Sequence, residues 1–176
     1  MSLKNSPRSV KGAVRPNTMR SSLPTSTLDD VDRAILQALA EDARLANNAL
    51  AERVGVAAST CLGRVRSLRE RGVIRGFHAD IDPAAVGRPI QAMIAVRMQS
   101  HARSHIAEFA GTVAALANVL NVFFLAGADD FLLHVAAAHT EELRDFVVVN
   151  LSGNPDVAMT ETNLIFEHIR AGSPPA

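Results

Sequence analysis

The sequence predicts an α+β chain in two parts, a helix-turn-helix unit followed by a ferredoxin-like β-α-β-β-α-β unit. Three observations predict it. Apolar residues recur every three or four positions up to about residue 71, the spacing of helices that bury one face. A stretch punctuated by Pro83, Gly87 and Pro89 then breaks the pattern. Beyond it, apolar residues alternate or run in short blocks bounded by turn residues, with two helical stretches between them. Apolar residues make up 48% of the chain, enough for a core, and with no Trp or Tyr that core is aliphatic, helped by seven Phe.

Residues 1–26 are rich in Ser, Pro and basic side chains without a sustained apolar period, and read as a disordered basic arm. Residues 27–82 form the first unit. Thr27 is placed to cap its first helix, with Asp29, Asp30 and Asp32 at the positive helix end and Leu28, Val31, Ile35 and Leu39 as its apolar stripe. A short second helix over about 48–54 offers Leu50 and Val54. Gly55 supplies a tight turn, and a third helix runs to about Arg71 and ends at Gly72. Val73-Ile74 and Phe77–Ile81 then suggest a short strand pair. Residues 83–88 are a linker, 89–170 the second unit and 171–176 a tail. In the second unit Ile90, Ala92, Ile94, Val96 and Met98 alternate as a half-buried strand, and Ile106, Phe109, Val113 and Leu116 mark a helix. Residues 119–125 and 131–137 are strands joined by Gly127-Ala128-Asp129-Asp130. Thr140 is placed to cap a helix carrying Leu143, Phe146 and Val147, and 157–169 closes the chain as a long strand whose Leu164 and Phe166 are expected on an open sheet face.

The formal net charge is zero, but its distribution is uneven. Residues 1–26 carry five basic side chains and no acid, and 59–76 carry five Arg against Glu70 alone, whereas from Pro83 onward nine acids outweigh five Arg. An acidic partner therefore has its surface in the first half. The single Cys61 excludes an intrachain disulfide and fits a reducing, cytoplasmic setting. No apolar run follows the basic start, which argues against a secretory signal, and the most apolar stretch is broken by Asp129 and Asp130, which argues against a membrane span.

The third helix carries the strongest functional pattern. At about 100° per residue, Ala58, Cys61, Leu62, Val65, Leu68 and Gly72 fall on one side, and Ser59, Thr60, Gly63, Arg64, Arg66, Ser67 and Arg71 on the rest, with Arg69 near the seam. Arg forks suit guanine edges or phosphates and hydroxyls suit base or backbone, so Ser59, Thr60, Arg64, Arg66, Ser67, Arg71 and the following Arg75 are the candidate contacts to double-stranded DNA. A basic, merely solvated surface helix is the competing reading. Cys61 lies on the apolar stripe and is read as core. His101 and His105, four apart, lack a third ligand nearby and are read as surface residues, so no metal, cofactor or catalytic group is expected.

The segments Leu28–Leu36, Leu50–Val56, Cys61–Leu68 and Gly72–Phe77 closely resemble, in order and spacing, the Lrp/AsnC family, the resemblance covering about residues 27–170. It implies a winged helix-turn-helix and a ferredoxin-like domain that binds an effector and assembles homodimers, often into tetramers or octamers. It implies a non-enzymatic transcriptional regulator. Ala57 stands where relatives often place a capping Ser, and Arg69 where many carry Glu. Gly127–Leu133 resembles the family's loop between the second and third strands, although Ala128 and Asp129 replace the usual Asp and aromatic residue, and Thr160 and Thr162 match a Thr-x-Thr on the last strand. The resemblance implies an amino-acid effector site between subunits, built from Gly127, Ala128, Asp129, Asp130, Thr160 and Thr162. A tight turn with solvated carboxylates is the plainer alternative there. Two other functions share the design: siroheme decarboxylases, which resemble the same two-domain form and would need a positively lined pocket, and architectural proteins that bind DNA without an effector.

Overall fold

A computed structural model describes residues 28–169, whose two compact units are built chiefly from 28–82 and 83–166. The arm, Thr27 and the tail lie outside the described residues.

The first unit holds α1 (Asp30–Glu41), α2 (Asn47–Arg53) and α3 (Ala58–Glu70). Asp29, not Thr27, is the N-cap of α1: its carboxylate accepts the Asp32 N–H at 2.8 Å. Asp satisfies an orphan donor of the first turn and places negative charge at the helix dipole's positive end. Ile35, Ala38, Leu50, Ala51, Cys61 and Leu68 form the core, with Leu28, Val31 and Leu39 packed against it. Gly55 and Gly72, both at positive φ, close the ends of α2 and α3. The expected strand pair after α3 is corrected: residues 73–82 form no ladder. The N–H groups of Val73 and Ile74 both donate to the Leu68 carbonyl, so they complete the helix end instead of pairing across a hairpin.

The second unit is a four-stranded antiparallel sheet, order β2-β3-β1-β4, built from β1 (Ile90–Met98), β2 (Val119–Phe124), β3 (Phe131–Ala137) and β4 (Val157–Ile165). Helices α4 (Ile106–Ala114) and α5 (Thr140–Val147) complete the βαββαβ order. The alternation in β1 is realised: Ala92, Ile94, Val96 and Met98 are buried against Phe109 and Val113 of α4 and Leu143 and Phe146 of α5, together with Phe131, Leu133 and Val135 of β3. Phe131 stacks obliquely between Phe109 and Phe124, with ring centroids at 5.2 and 5.4 Å.

Three expectations are revised here: the cap of α5, the length of the last strand and the face of Leu164. The N-cap of α5 is His139, whose Nδ1 accepts the Glu142 N–H, while the Glu142 carboxylate accepts the Ala138 N–H; Thr140 is the first helical residue. A 3₁₀ turn, Ser100–His105, leads into α4, and a π turn, Val148–Ser152, extends α5. The last strand ends at Ile165, because its partner β1 begins at Ile90 and the final pair is Gln91 with Ile165. Leu164 pairs with Ala92, and directly opposed residues share a face. It therefore lies at the edge of the helix-covered side. The open face carries Gln91, Met93, Ala95 and Arg97 of β1, with their partners on β3 and β4.

Candidate functional site

The basic residues of α3 separate into two sets. Arg64 and Arg71 turn toward α1. Arg64 bonds the Asp29 carboxylate and lies 3.2 Å from Asp32 Oδ1, and Arg71 lies 3.1 Å from Asp32 Oδ2. Asp32 is buried, with a side chain only 5% exposed, so one carboxylate bridges two guanidinium groups between the helices. The Asp32 backbone N–H first, and then Arg64, hold the Asp29 carboxyl below its usual range, and its bonds to Asp29 and Asp32 raise the Arg64 guanidinium further. Both arginines are thus paired with carboxylates while part of each side chain stays exposed.

Arg66, Arg69 and Arg75 are exposed. With Glu70 and Ile74 they line a shallow cleft of about 450 Å³. Ser59, Thr60 and Gly63 are exposed and Ser67 is half-buried. Leu62 and Ala58, assigned from the sequence to the buried stripe, are exposed, Leu62 by 50%. Cys61 is buried as expected, and that burial pushes its thiol up and away from reactivity. The N-cap of α3 is Ala57, with no side-chain cap, and Ser59 sits inside the helix instead of starting a later one. Such a face, basic and hydroxyl-bearing on a helix held by two others, has the chemistry for a DNA groove.

In the second unit the turn at Gly127–Asp130 is held by its own polar groups. The Asp130 carboxylate accepts the Met98 N–H at 2.8 Å, its N–H donates to Val96 O and its carbonyl accepts from Leu125. Arg97 donates to Ala128 O at 2.8 Å and lies 3.3 Å from Asp129. Arg97 was not singled out from the sequence, although it is the only charged residue in the Ile90–Met98 strand. Thr160 pairs with Val96 and Thr162 with Ile94, which puts both hydroxyls on one sheet face, and Thr160 lies beside the strand end that anchors the turn. That face is the one opposite Arg97. Thr160 Oγ lies 3.4 Å from Ser152 Oγ, and Thr162 is exposed. A second cavity of similar volume, about 450 Å³, opens elsewhere, beside α4, and its lining includes His101, His105, Glu108, Asn150 and Asp156. His101 meets Asp156 at 3.5 Å, and among the described residues no group of three metal-ligating side chains exists. Nor is any described helix long and apolar enough to cross a membrane.

Residues 28–75 match a winged helix-turn-helix DNA-binding family, and residues 91–175 match the Lrp/AsnC ligand binding domain. The HTH-type transcriptional regulator AldR of Mycolicibacterium smegmatis is 56% identical over 166 residues, covering 94% of this chain and 96% of the relative. The chain belongs to the Lrp/AsnC family of transcriptional regulators. AldR of Mycobacterium tuberculosis is 60% identical over 147 residues, covering 84% of this chain and 82% of that one. A solved structure of a Neisseria meningitidis transcriptional regulator in complex with L-Met is 32% identical and superposes with a TM-score of 0.76, covering 85% of this chain and 97% of that one. These Lrp/AsnC relatives are regulators, not enzymes, which sets aside the decarboxylase reading for this chain. Its function is transcriptional regulation of the Lrp/AsnC type.

Proposed function

We propose that the outward face of α3 reads double-stranded DNA in the major groove, with Ser59, Thr60, Arg66 and Ser67 toward the bases and backbone and Arg69 and Arg75 toward phosphates. Arg64 and Arg71 position the helix instead of touching the bases. The observation that carries this reading is the division of labour among the arginines: two are committed to Asp29 and Asp32, and three stand exposed beside hydroxyls with Glu70 as the one acid on the helix. Arg66→Ala should weaken binding by about 1–3 kcal/mol if it reads a base, or lower the salt slope by about one if it meets a phosphate, with the melting temperature unchanged. Arg64→Ala should instead lower the melting temperature. Identical DNA binding by a folded Arg66→Ala protein would overturn the assignment.

The second domain is the natural place for an amino-acid effector, as the L-Met complex of the Neisseria relative supports. Arg97 and Asp129, a cation and a carboxylate at one turn, match the two charges of an amino acid, and Thr160 and Thr162 add hydroxyls. Within one protomer these groups lie on opposite sheet faces, so a second protomer is needed to close the site. The open sheet face, with Met93, Ala95, Leu132, Phe123 and Met159, offers the surface for a homodimer. Calorimetry of the full chain against L-Met and the other amino acids tests the effector. Binding at millimolar concentration or below, lost in Arg97→Ala, is expected; no heat and no change of oligomer size with any amino acid would leave a ligand-independent DNA-binding protein as the better account.

A further inference from the structure

Leu62 is the large apolar residue of α3 that stands exposed. It is 50% exposed on α3, although its neighbours Cys61 and Val65 pack inward. Helix geometry places it on the outward side with Ser59, Gly63, Arg66 and Arg69, the residues three before it, next to it, and four and seven after it. A Cβ built on Gly63 meets nothing within 4 Å, so the backbone beside Leu62 is uncovered and open to close approach. An isobutyl group in the middle of a basic, hydroxyl-bearing reading surface has one natural counterpart on a DNA edge, the C5 methyl of thymine, the apolar group of the major groove.

We propose that Leu62 is a specificity-determining residue that packs on a thymine methyl in the major groove. This rests on the reading of α3 as the DNA-contacting helix. Arg66 follows one turn later, about 6 Å along the axis, which is one to two base-pair steps. The preferred half-site therefore holds a thymine within about two steps of the base or phosphate that Arg66 meets. Charge complementarity selects DNA over a second protein copy as the occupant, because the exposed Arg66 and Arg69 follow Leu62 one and two turns along the helix, with Glu70 as the one acid of α3.

Deoxyuridine isolates the contact, since it differs from thymidine only by that methyl. A duplex selected from a randomised pool by the full chain is resynthesised with each thymine replaced in turn by deoxyuridine. One replacement per half-site should weaken binding about four-fold, the worth of one buried methyl-sized group, while the others leave it unchanged. Leu62→Ala should bind the thymine and deoxyuridine duplexes equally, and Leu62→Met should retain the preference. Indifference of the wild-type chain to every replacement overturns the proposal, and so does a Leu62→Ala chain that keeps the four-fold preference or changes oligomer size instead. Failure of the wild-type chain to bind any duplex at low salt overturns the DNA-contacting role of α3 itself, a distinct result.

Discussion

Asp32→Ala removes the carboxylate that ties α3 to α1, and its cost follows from the geometry. The Asp32 side chain is 5% exposed, and its two oxygens take Arg64 at 3.2 Å and Arg71 at 3.1 Å. Removing one partner of a fully buried ion pair costs about 3–5 kcal/mol, mostly by stranding the other charge. Here the arginines are 38% and 30% exposed, so both rehydrate in part, and Arg64 keeps Asp29. The expected loss is therefore roughly half, about 1.5–3 kcal/mol. For a unit this small that corresponds to a fall of roughly 6–24 °C in its midpoint. Thermal unfolding of the full chain, followed by far-ultraviolet circular dichroism, reads it, since all three helices of the first unit melt with the loss. Asp32→Asn, which keeps one good acceptor, should fall between wild type and Asp32→Ala. A change below about 0.5 kcal/mol in Asp32→Ala, the size of an ordinary surface substitution, would refute the view that this carboxylate holds the helices together.

Two further outcomes follow from the helix ends. Ala57→Ser should raise stability by about 0.5–1 kcal/mol, because the residue already has the extended backbone of an N-cap and lacks only the acceptor; an unchanged midpoint would show that this end is satisfied another way. Asp29→Asn keeps an N-cap acceptor but loses the charge facing Arg64. The folded Asp29 carboxyl ionises below its usual value of 3.8, so its stabilising effect is complete above that value and is lost as pH falls through the lowered one. The gap in melting temperature between wild type and Asp29→Asn should be constant from neutral pH to about pH 5 and close below about pH 4.

What the sequence revealed and what it hid have separate physical causes. The alternation Ile90–Met98 and the block Phe131–Ala137 were legible because a sheet covered on one face imposes a period of two on its residues. Leu62 was misplaced because helical periodicity shows that an apolar stripe exists, not how wide a stripe the neighbouring helices cover; α1 and α2 cover Cys61 and Leu68 and stop short of Leu62. Asp32 read as a dipole-complementing surface acid, since nothing local announces two arginines more than thirty residues away. Thr27 and Thr140 have the residue type of caps, but Asp29 and His139 have the acceptors that reach the third N–H. Val73-Ile74 has strand composition, yet its amides are drawn to the Leu68 carbonyl by the helix end. The turn at 127–130 was legible in composition; its dependence on Arg97 was not, because that contact spans thirty-one residues.

The aromatic trio beside that turn has a spectroscopic consequence. With no Trp and no Tyr in the chain, absorption near 280 nm and emission above 320 nm are essentially dark. Phe124 rests on Phe131, one residue from the segment that leads into the turn, and is 65% exposed, so the larger indole fits there with little crowding. A Phe124→Trp chain would carry its only fluorophore where the β2–β3 connection begins, on a background of zero. Any rearrangement of that connection, whether driven by a small molecule, by assembly or by DNA, would then be reported by a single lamp.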